Sequence, residues 1–220
     1  MSPFRVSELT GSATDLHARQ LVATSRVVEV LHIDRPALVL GSTQPTDDVD
    51  RVTADALGVE VVRRRSGGGA VFLLPDDDLW VDVSIPRDDP LWHDDVTVSF
   101  EWLGQAWAAA VSSLGWRPEI HTGPGRTSRW SRRVCFAGVG AGEVLINGRK
   151  LVGISQRRTR DAARFQCAVL HTWDPVSLLG LLALSEHDRA DGLVALADVA
   201  TGLHLPSADL LTAFLATLPT

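Results

Sequence analysis

The run Arg63-Arg64-Arg65-Ser66-Gly67-Gly68-Gly69 lies between a β-branched run, Val59–Val62, and an apolar one, Ala70–Leu74, and combines groups that can hold an anion. Guanidinium forks suit carboxylate or phosphate, and glycines let bare backbone N–H groups approach a charged oxygen. A Walker-type loop needs Gly-Lys-Ser/Thr after its glycines, and the dinucleotide fingerprint needs a third glycine where Phe72 stands, so neither fits. Both also lead into a helix, whereas Ala70–Leu74 has the pattern of a strand. The expected local structure is strand, polar loop, strand, with the glycines making a tight reversal. An ordinary glycine hairpin with a solvated arginine run would leave the same residues, so the loop alone does not name its ligand.

A second candidate is Lys150, the single lysine among 21 basic residues. A bias towards arginine explains the other twenty but not this exception, and the two side chains are not interchangeable at a site. Cys135 and Cys167 have no metal-ligand spacing with each other or with the seven histidines, so neither a zinc site nor a disulfide framework is expected.

The elements that must position these groups can be read from periodicity and punctuation. Ser12 caps a short helix within 12–22, and Val27–His32 and Ala37–Leu40 are strands around the turn at Asp34-Arg35-Pro36. Asp47 or Asp48 caps a second helix that Gly58 ends before the arginine stretch. A turn at 76–78 leads to the strand Leu79–Ile85, with Trp80, Asp82 and Ser84 on one face, and this strand forms one sheet edge with the loop and strand before it. The clearest helix has Thr97 as its cap, Leu103, Ala106, Trp107, Ala110, Val111 and Leu114 as its stripe, and Gly115 past its end. Residues 121–131 read as a mobile surface loop. Val134–Ala137 and Glu143–Ile146 read as strands, and Asn147-Gly148 predicts a type I′ hairpin returning through Lys150–Gln156. Alternation puts Lys150, Val152, Ile154 and Gln156 on one face of that strand, with Gly153 on the other allowing close approach. Phe165–Leu170 is a further strand, and packing helices start at Asp174-Pro175 and at Ser207.

With 45% hydrophobic residues in 220, the chain can bury one substantial core, and a single domain over 1–220 is expected. No apolar leader or membrane-length run is present, so the expected setting is cytoplasmic, without membrane association. Between Arg117 and Arg164 the charge balance is +8 in a chain of net charge −6. One face should therefore attract an acidic partner or anionic ligand, without generic binding to nucleic acid.

Two separated segments, VVRRRSGGGAVF at 61–72 and VLINGRKLVGISQRRTR at 144–160, together resemble the lipoate protein ligase and octanoyltransferase family, part of the biotin/lipoate ligase superfamily. The resemblance implies an α/β (α+β) fold with a mainly antiparallel mixed sheet and flanking helices. It also implies that Arg63, Arg64, Ser66, Gly67, Gly68, Gly69 and Ala70, joined by Gly153 and Ser155, line an acyl and adenylate pocket. Lys150 would contact the carboxylate and phosphate of an activated acid. On this reading lipoate or octanoate reacts with ATP and magnesium, and the acyl-adenylate passes to a lysine of an acidic lipoyl domain or a glycine-cleavage H-type protein.

The segment VCFAG at 134–138 resembles the place where one octanoyltransferase group carries its nucleophile. In that alternative Cys135 takes an acyl group from an acyl carrier protein thioester without ATP; a small buried hydrophobe is the other reading of this residue. Two departures from the family pattern are visible: no histidine follows the glycine loop, where Phe72-Leu73-Leu74-Pro75 stands, and Cys167-Ala168 replaces a histidine-glycine pair. A third reading is a non-catalytic homologue that binds an acylated or lipoylated protein.

Overall fold

A computed structural model describes residues 3–75 and 78–220; of the turn expected at 76–78, Asp76 and Asp77 lie outside the described residues. In chain order the elements are β1 (Arg5–Gly11), α1 (Ala13–Ala18), β2 (Val27–Ile33), β3 (Ala37–Leu40), α2 (Arg51–Ala56), β4 (Glu60–Arg63), β5 (Val71–Leu73), β6 (Leu79–Pro86) and α3 (Glu101–Ser113). These are followed by β7 (Pro118–Ile120), β8 (Val144–Ile146), β9 (Arg149–Arg158), β10 (Ala162–Val169), α4 (Pro175–Gly180), α5 (Glu186–Leu196) and α6 (Ser207–Thr217).

The strands form a seven-stranded sheet in the order β1-β2-β6-β10-β9-β8-β7 and a three-stranded sheet in the order β4-β3-β5. All pairs in the large sheet are antiparallel except β1 with β2. The mainly antiparallel mixed sheet with flanking helices is thus as expected.

Strand periodicity explains the layering. Val81, Val83 and Ile85 of β6 face one side of the large sheet and pack under α3 and α6, where Trp107 stacks on Phe214 at 3.8 Å between ring centroids. Trp80 faces the other side, towards Val39, Val71, Leu73 and Phe136. Along β3, Ala37 and Val39 face the large sheet while Leu38 and Leu40 pack with Leu178, Leu179 and Leu196 of α4 and α5 and with Leu182 between them. A strand covered on both faces has no polar side, which is why ALVL reads as an unbroken apolar run. The layer between the two sheets holds the candidate site.

Several local expectations change. β4 and β5 do not pair as a hairpin; both flank β3, so the glycine loop crosses over the end of that strand. The strand and loop at 59–75 therefore do not share an edge with β6, which belongs to the other sheet. Val134–Ala137 is not a strand. It touches Ala70 through one isolated bridge and then turns as a 3-10 helix over Cys135–Ala137, because no neighbouring strand runs alongside it. Asp50, not Asp47 or Asp48, caps α2 by accepting from the Thr53 amide at 3.0 Å. Ahead of α3, Asp95 accepts from the Thr97 and Val98 amides, and Thr97 makes no side-chain cap. Ser12 caps α1 as expected, and Asn147 and Gly148 both have positive φ, 51° and 75°, as a type I′ turn requires.

Candidate active site

The loop from Arg64 to Ala70 is shaped by a buried cation. Arg64 donates to the carbonyls of Gly67 at 2.7 Å, Gly69 at 2.9 Å and Val39 at 3.3 Å, so its guanidinium ties the loop to the end of β3. Gly68 has φ of 100°, a conformation costly for any other L residue. Gly69 lies so close to the following segment that a Cβ there would be 2.4 Å from the Val134 nitrogen. The amides of Gly67, Gly68 and Gly69 have no hydrogen-bond acceptor among the described residues. Adjacent amides without an internal acceptor are the kind of donors that can receive an oxyanion or carboxylate.

Cys135 is seated against this loop. The residue is half-buried, its thiol lies 3.6 Å from the Arg64 guanidinium, and a Cβ on Gly68 would lie 3.5 Å from the sulfur. Its amide donates to the Ala70 carbonyl at 2.9 Å, which fixes the cysteine to the first residue after the glycines.

Lys150 is close by but faces differently from the sequence-based expectation. Its ammonium pairs with Glu143 at 2.7 Å, donates to the carbonyls of Gly138 at 3.1 Å and Cys135 at 3.3 Å, and lies 5.0 Å from the centre of the Phe136 ring. Both side chains of the pair are almost fully buried, at 2% and 6% exposure. Lys150 does not line the cavity at Cys135; the 135–138 turn stands between its charge and the glycine loop. The expected alternation of β9 also fails. Val144 pairs with Val152 and Leu145 with Lys150, so β9 carries one extra residue, Leu151, in a β-bulge. A bulge shifts the pattern by one, which moves Lys150 to the face of Gly153 and Ser155 and leaves Val152 and Ile154 in the core beneath α3.

A polar wall joins the two sequence motifs. The Ser66 hydroxyl is 2.9 Å from that of Ser155 and donates to the side-chain Oε1 of Gln166 at 3.1 Å. Beyond Gln166 lie the buried Asp82, which accepts from the Trp80 indole at 2.9 Å and pairs with Arg19 at 3.1 Å, and His17, stacked on Trp80 at 4.4 Å. Burial pushes the Asp82 carboxyl up to about 6 despite Arg164 and Arg19. Burial, with Arg64, Arg19 and Arg164 nearby, holds His17 down at about 3 and therefore neutral.

Arg64, Cys135, Gly153 and Ser155 line an apolar cavity of about 50 Å3 together with His17, Val71, Trp80, Phe136, Gln166 and Cys167. Cys167 is fully buried, and burial pushes its thiol up. Arg63 is directed elsewhere, donating to the carbonyls of Gly41 and Gln44, and is part of the loop's support. Arg65 is exposed. Ala70 is buried and bridges to Val134.

Of the basic 117–164 segment, Arg129, Arg133 and Arg149 meet Asp191, Asp48 and Asp198, while Arg126 and Arg132 have no carboxylate partner among the described residues. Arg129, Arg132 and Arg133 line a broad groove that reaches Gly68. The loop at 121–131 is anchored by paired backbone bonds between Arg126 and Val139. No group of acidic, histidine and cysteine side chains able to hold a metal occurs among the described residues, and no helix there is long and apolar enough to cross a membrane.

Sequence reasoning missed Glu143, His17, Asp82 and Gln166. The Asn-Gly hairpin carried a signal for Glu143, because a carboxylate seven residues before the lone lysine falls near it across the turn. His17 and Asp82 gave none, since they come from α1 and β6 and meet only where the sheets pack.

The architecture is that of a lipoate protein ligase catalytic domain. It superimposes on the bipartite lipoate protein ligase of Thermoplasma acidophilum, studied with its E2 lipoyl domain, with a TM-score of 0.76 and 16% identity over 99% of this chain and 82% of that one. The profile of the lipoyl protein ligase A/B catalytic domain matches residues 15–203, and the chain belongs to that family, whose members carry out lipoyl and octanoyl transfer. Among curated relatives, the octanoyltransferase LipM of Moorella thermoacetica is 34% identical over 125 residues, covering 56% of this chain and 45% of the relative. LipM of Kyrpidia tusciae is 30% identical over 155 residues, covering 68% and 56%. The chain thus spans about half the length of the curated relatives it matches.

Proposed function

We propose that the protein is a cysteine-dependent acyltransferase that moves an octanoyl-type group from a carrier-protein thioester to a lysine of a lipoyl domain. The observation that carries this reading is the seat of Cys135, with its sulfur beside the Arg64 guanidinium and packed against Gly68 of the glycine loop, whose amides have no internal acceptor among the described residues. It agrees with the names of the relatives and favours the transferase over the ATP-dependent ligase. The ligase reading needs Lys150 as a cation that meets carboxylate and phosphate, and Glu143 already matches that charge inside the protein.

In the first step the Cys135 sulfur attacks the donor carbonyl. The tetrahedral oxyanion is received by the glycine amides, the donor C–S bond breaks, and the cysteine proton ends on the departing carrier thiol. In the second step the acceptor amine attacks the Cys135 thioester, an amide forms and the thiol is restored. Arg64 stabilises negative charge on sulfur and holds the loop, Lys150 with Glu143 fixes the carbonyls of Cys135 and Gly138, and the cavity takes the alkyl chain. The basic groove beside Gly68, with Arg132, is suited to the acidic partners such a reaction requires: an acyl carrier protein, then a lipoyl domain or H-type protein.

The test is intact mass after mixing the protein with octanoyl-acyl carrier protein and an apo lipoyl domain, with and without ATP and magnesium. The expected result is an octanoyl adduct on the enzyme without ATP, passed to the lipoyl domain and absent in Cys135→Ser. Modification that requires ATP, proceeds from free lipoate or octanoate, and is lost in Lys150→Ala would instead establish the ligase. Absence of transfer from every donor would leave a binding module.

A further inference from the structure

Phe136 and Val71 line two cavities at once. One is the apolar cavity of about 50 Å3 at Cys135; the other, of about 250 Å3, lies among Phe72, Leu170, Thr172, Trp173 and Leu178. The same two side chains therefore form a shared wall, and the roomier space is behind it. Phe136 is held there firmly. It is 2% exposed, stacks on Trp173 at 5.9 Å, lies under the Lys150 ammonium, and meets Gly153, where an added Cβ would be 3.3 Å from its ring edge. Its backbone belongs to the 3-10 turn that carries Cys135, so the wall is placed relative to the sulfur by one peptide link.

We propose that Phe136, supported by Val71, is the chain-length stop of the acyl pocket, limiting the enzyme to medium-length acyl groups by closing off the second cavity. This rests on the acyl-transfer reading above. A chain that fits the first cavity gains apolar contact with each added methylene until it meets the ring; further methylenes must displace a packed aromatic group and are rejected. Truncating Phe136 joins the two spaces, and the second cavity, walled by Phe72, Trp173 and Leu178, then accepts the excess carbons.

The experiment compares octanoyl, decanoyl, dodecanoyl and tetradecanoyl thioesters as donors for wild type, Phe136→Ala and Phe136→Leu, with calorimetric binding of the corresponding free acids in parallel. Wild type should fall by at least about tenfold in kcat/KM between the octanoyl and dodecanoyl donors, and Phe136→Ala should raise the dodecanoyl-to-octanoyl ratio by at least about tenfold. Phe136→Leu retains most of the packing and should give an intermediate ratio, which guards against loss of fold in the alanine variant. Adding Thr172→Phe to Phe136→Ala, to fill the second cavity from its exposed rim, should bring the preference back to the shorter chain. A length profile that stays parallel to wild type in both Phe136 variants, in transfer or in binding, would overturn the wall. If no donor supports transfer, the binding profiles still decide it, so failure of the acyl-transfer reading and failure of the wall are separately visible.

Discussion

Replacing Glu143 with glutamine tests whether the lone lysine is a structural charge or a free one. Glu143 accepts from the Lys150 ammonium at 2.7 Å, the Ile154 amide at 3.0 Å and the Gly140 amide at 2.7 Å. Glutamine keeps the shape and one acceptor but removes the negative charge, leaving an ammonium at 2% exposure with two carbonyls and an aromatic face. Breaking a buried pair costs about 3–5 kcal/mol, and those remaining partners place the cost near the lower end, at about 3 kcal/mol. That corresponds to roughly a hundredfold in the unfolding equilibrium and, for a chain of this size, a fall in Tm of roughly 6–12 °C. Urea unfolding of wild type, Glu143→Gln, Lys150→Met and the double variant, fitted with a common m value, measures the pair as a cycle. The double variant should lose less than the sum of the single variants by about 2–3 kcal/mol, since removing both partners leaves no uncompensated charge. Stability of Glu143→Gln within about 0.5 kcal/mol of wild type, or an additive cycle, would refute the reasoning and return Lys150 to the role of a ligand-seeking cation.

Iodoacetamide on the native protein should alkylate Cys135 and spare Cys167 until urea is added, as peptide mapping would show, because Cys167 is fully buried with its thiol pushed up. Gly69→Ala should destabilise by at least about 3 kcal/mol because its Cβ would be 2.4 Å from the Val134 nitrogen, whereas a Cβ at Gly67 meets nothing within 4 Å and should cost under about 1 kcal/mol; thermal melts separate the two. His17 is held at about 3 in the folded protein against an ordinary histidine value of 6.5, so its contribution is complete above pH 6.5 and is lost as pH falls towards 3. Asp82, raised from 3.8 to about 6, runs the opposite way, with stability falling as pH rises from about 4 to 6, but over a narrower span. In urea unfolding at pH 4.5 and pH 7, His17→Phe should therefore lose less stability in acid than wild type by about 2–3 kcal/mol, and equal losses would show that the histidine is not buried as described.

Local chemistry was legible in the chain itself. The glycine-arginine run, the Asn-Gly hairpin, the lone lysine and the apolar runs of β3 and β6 each follow from rules that act over a few residues: positive φ, strand alternation and the need to cover apolar faces. Those rules were enough to place most of the strands, while the family, and with it the mainly antiparallel mixed sheet, came from the resemblance of the 61–72 and 144–160 segments. The local rules failed where a partner distant in sequence decides the outcome. That β4 and β5 flank β3 instead of pairing depends on which edges meet in space. The bulge at Leu151 reverses the face of Lys150, and the turn at Cys135–Ala137 replaces a strand for lack of a neighbour. The polar wall draws on α1, β6, β9 and β10, elements up to 149 residues apart, so Gln166 and His17 could not be paired by any local pattern. A sequence fixes what each residue can offer, but whether Lys150 offers its charge to a ligand or to Glu143 depends on which buried carboxylate the tertiary packing brings within 2.7 Å.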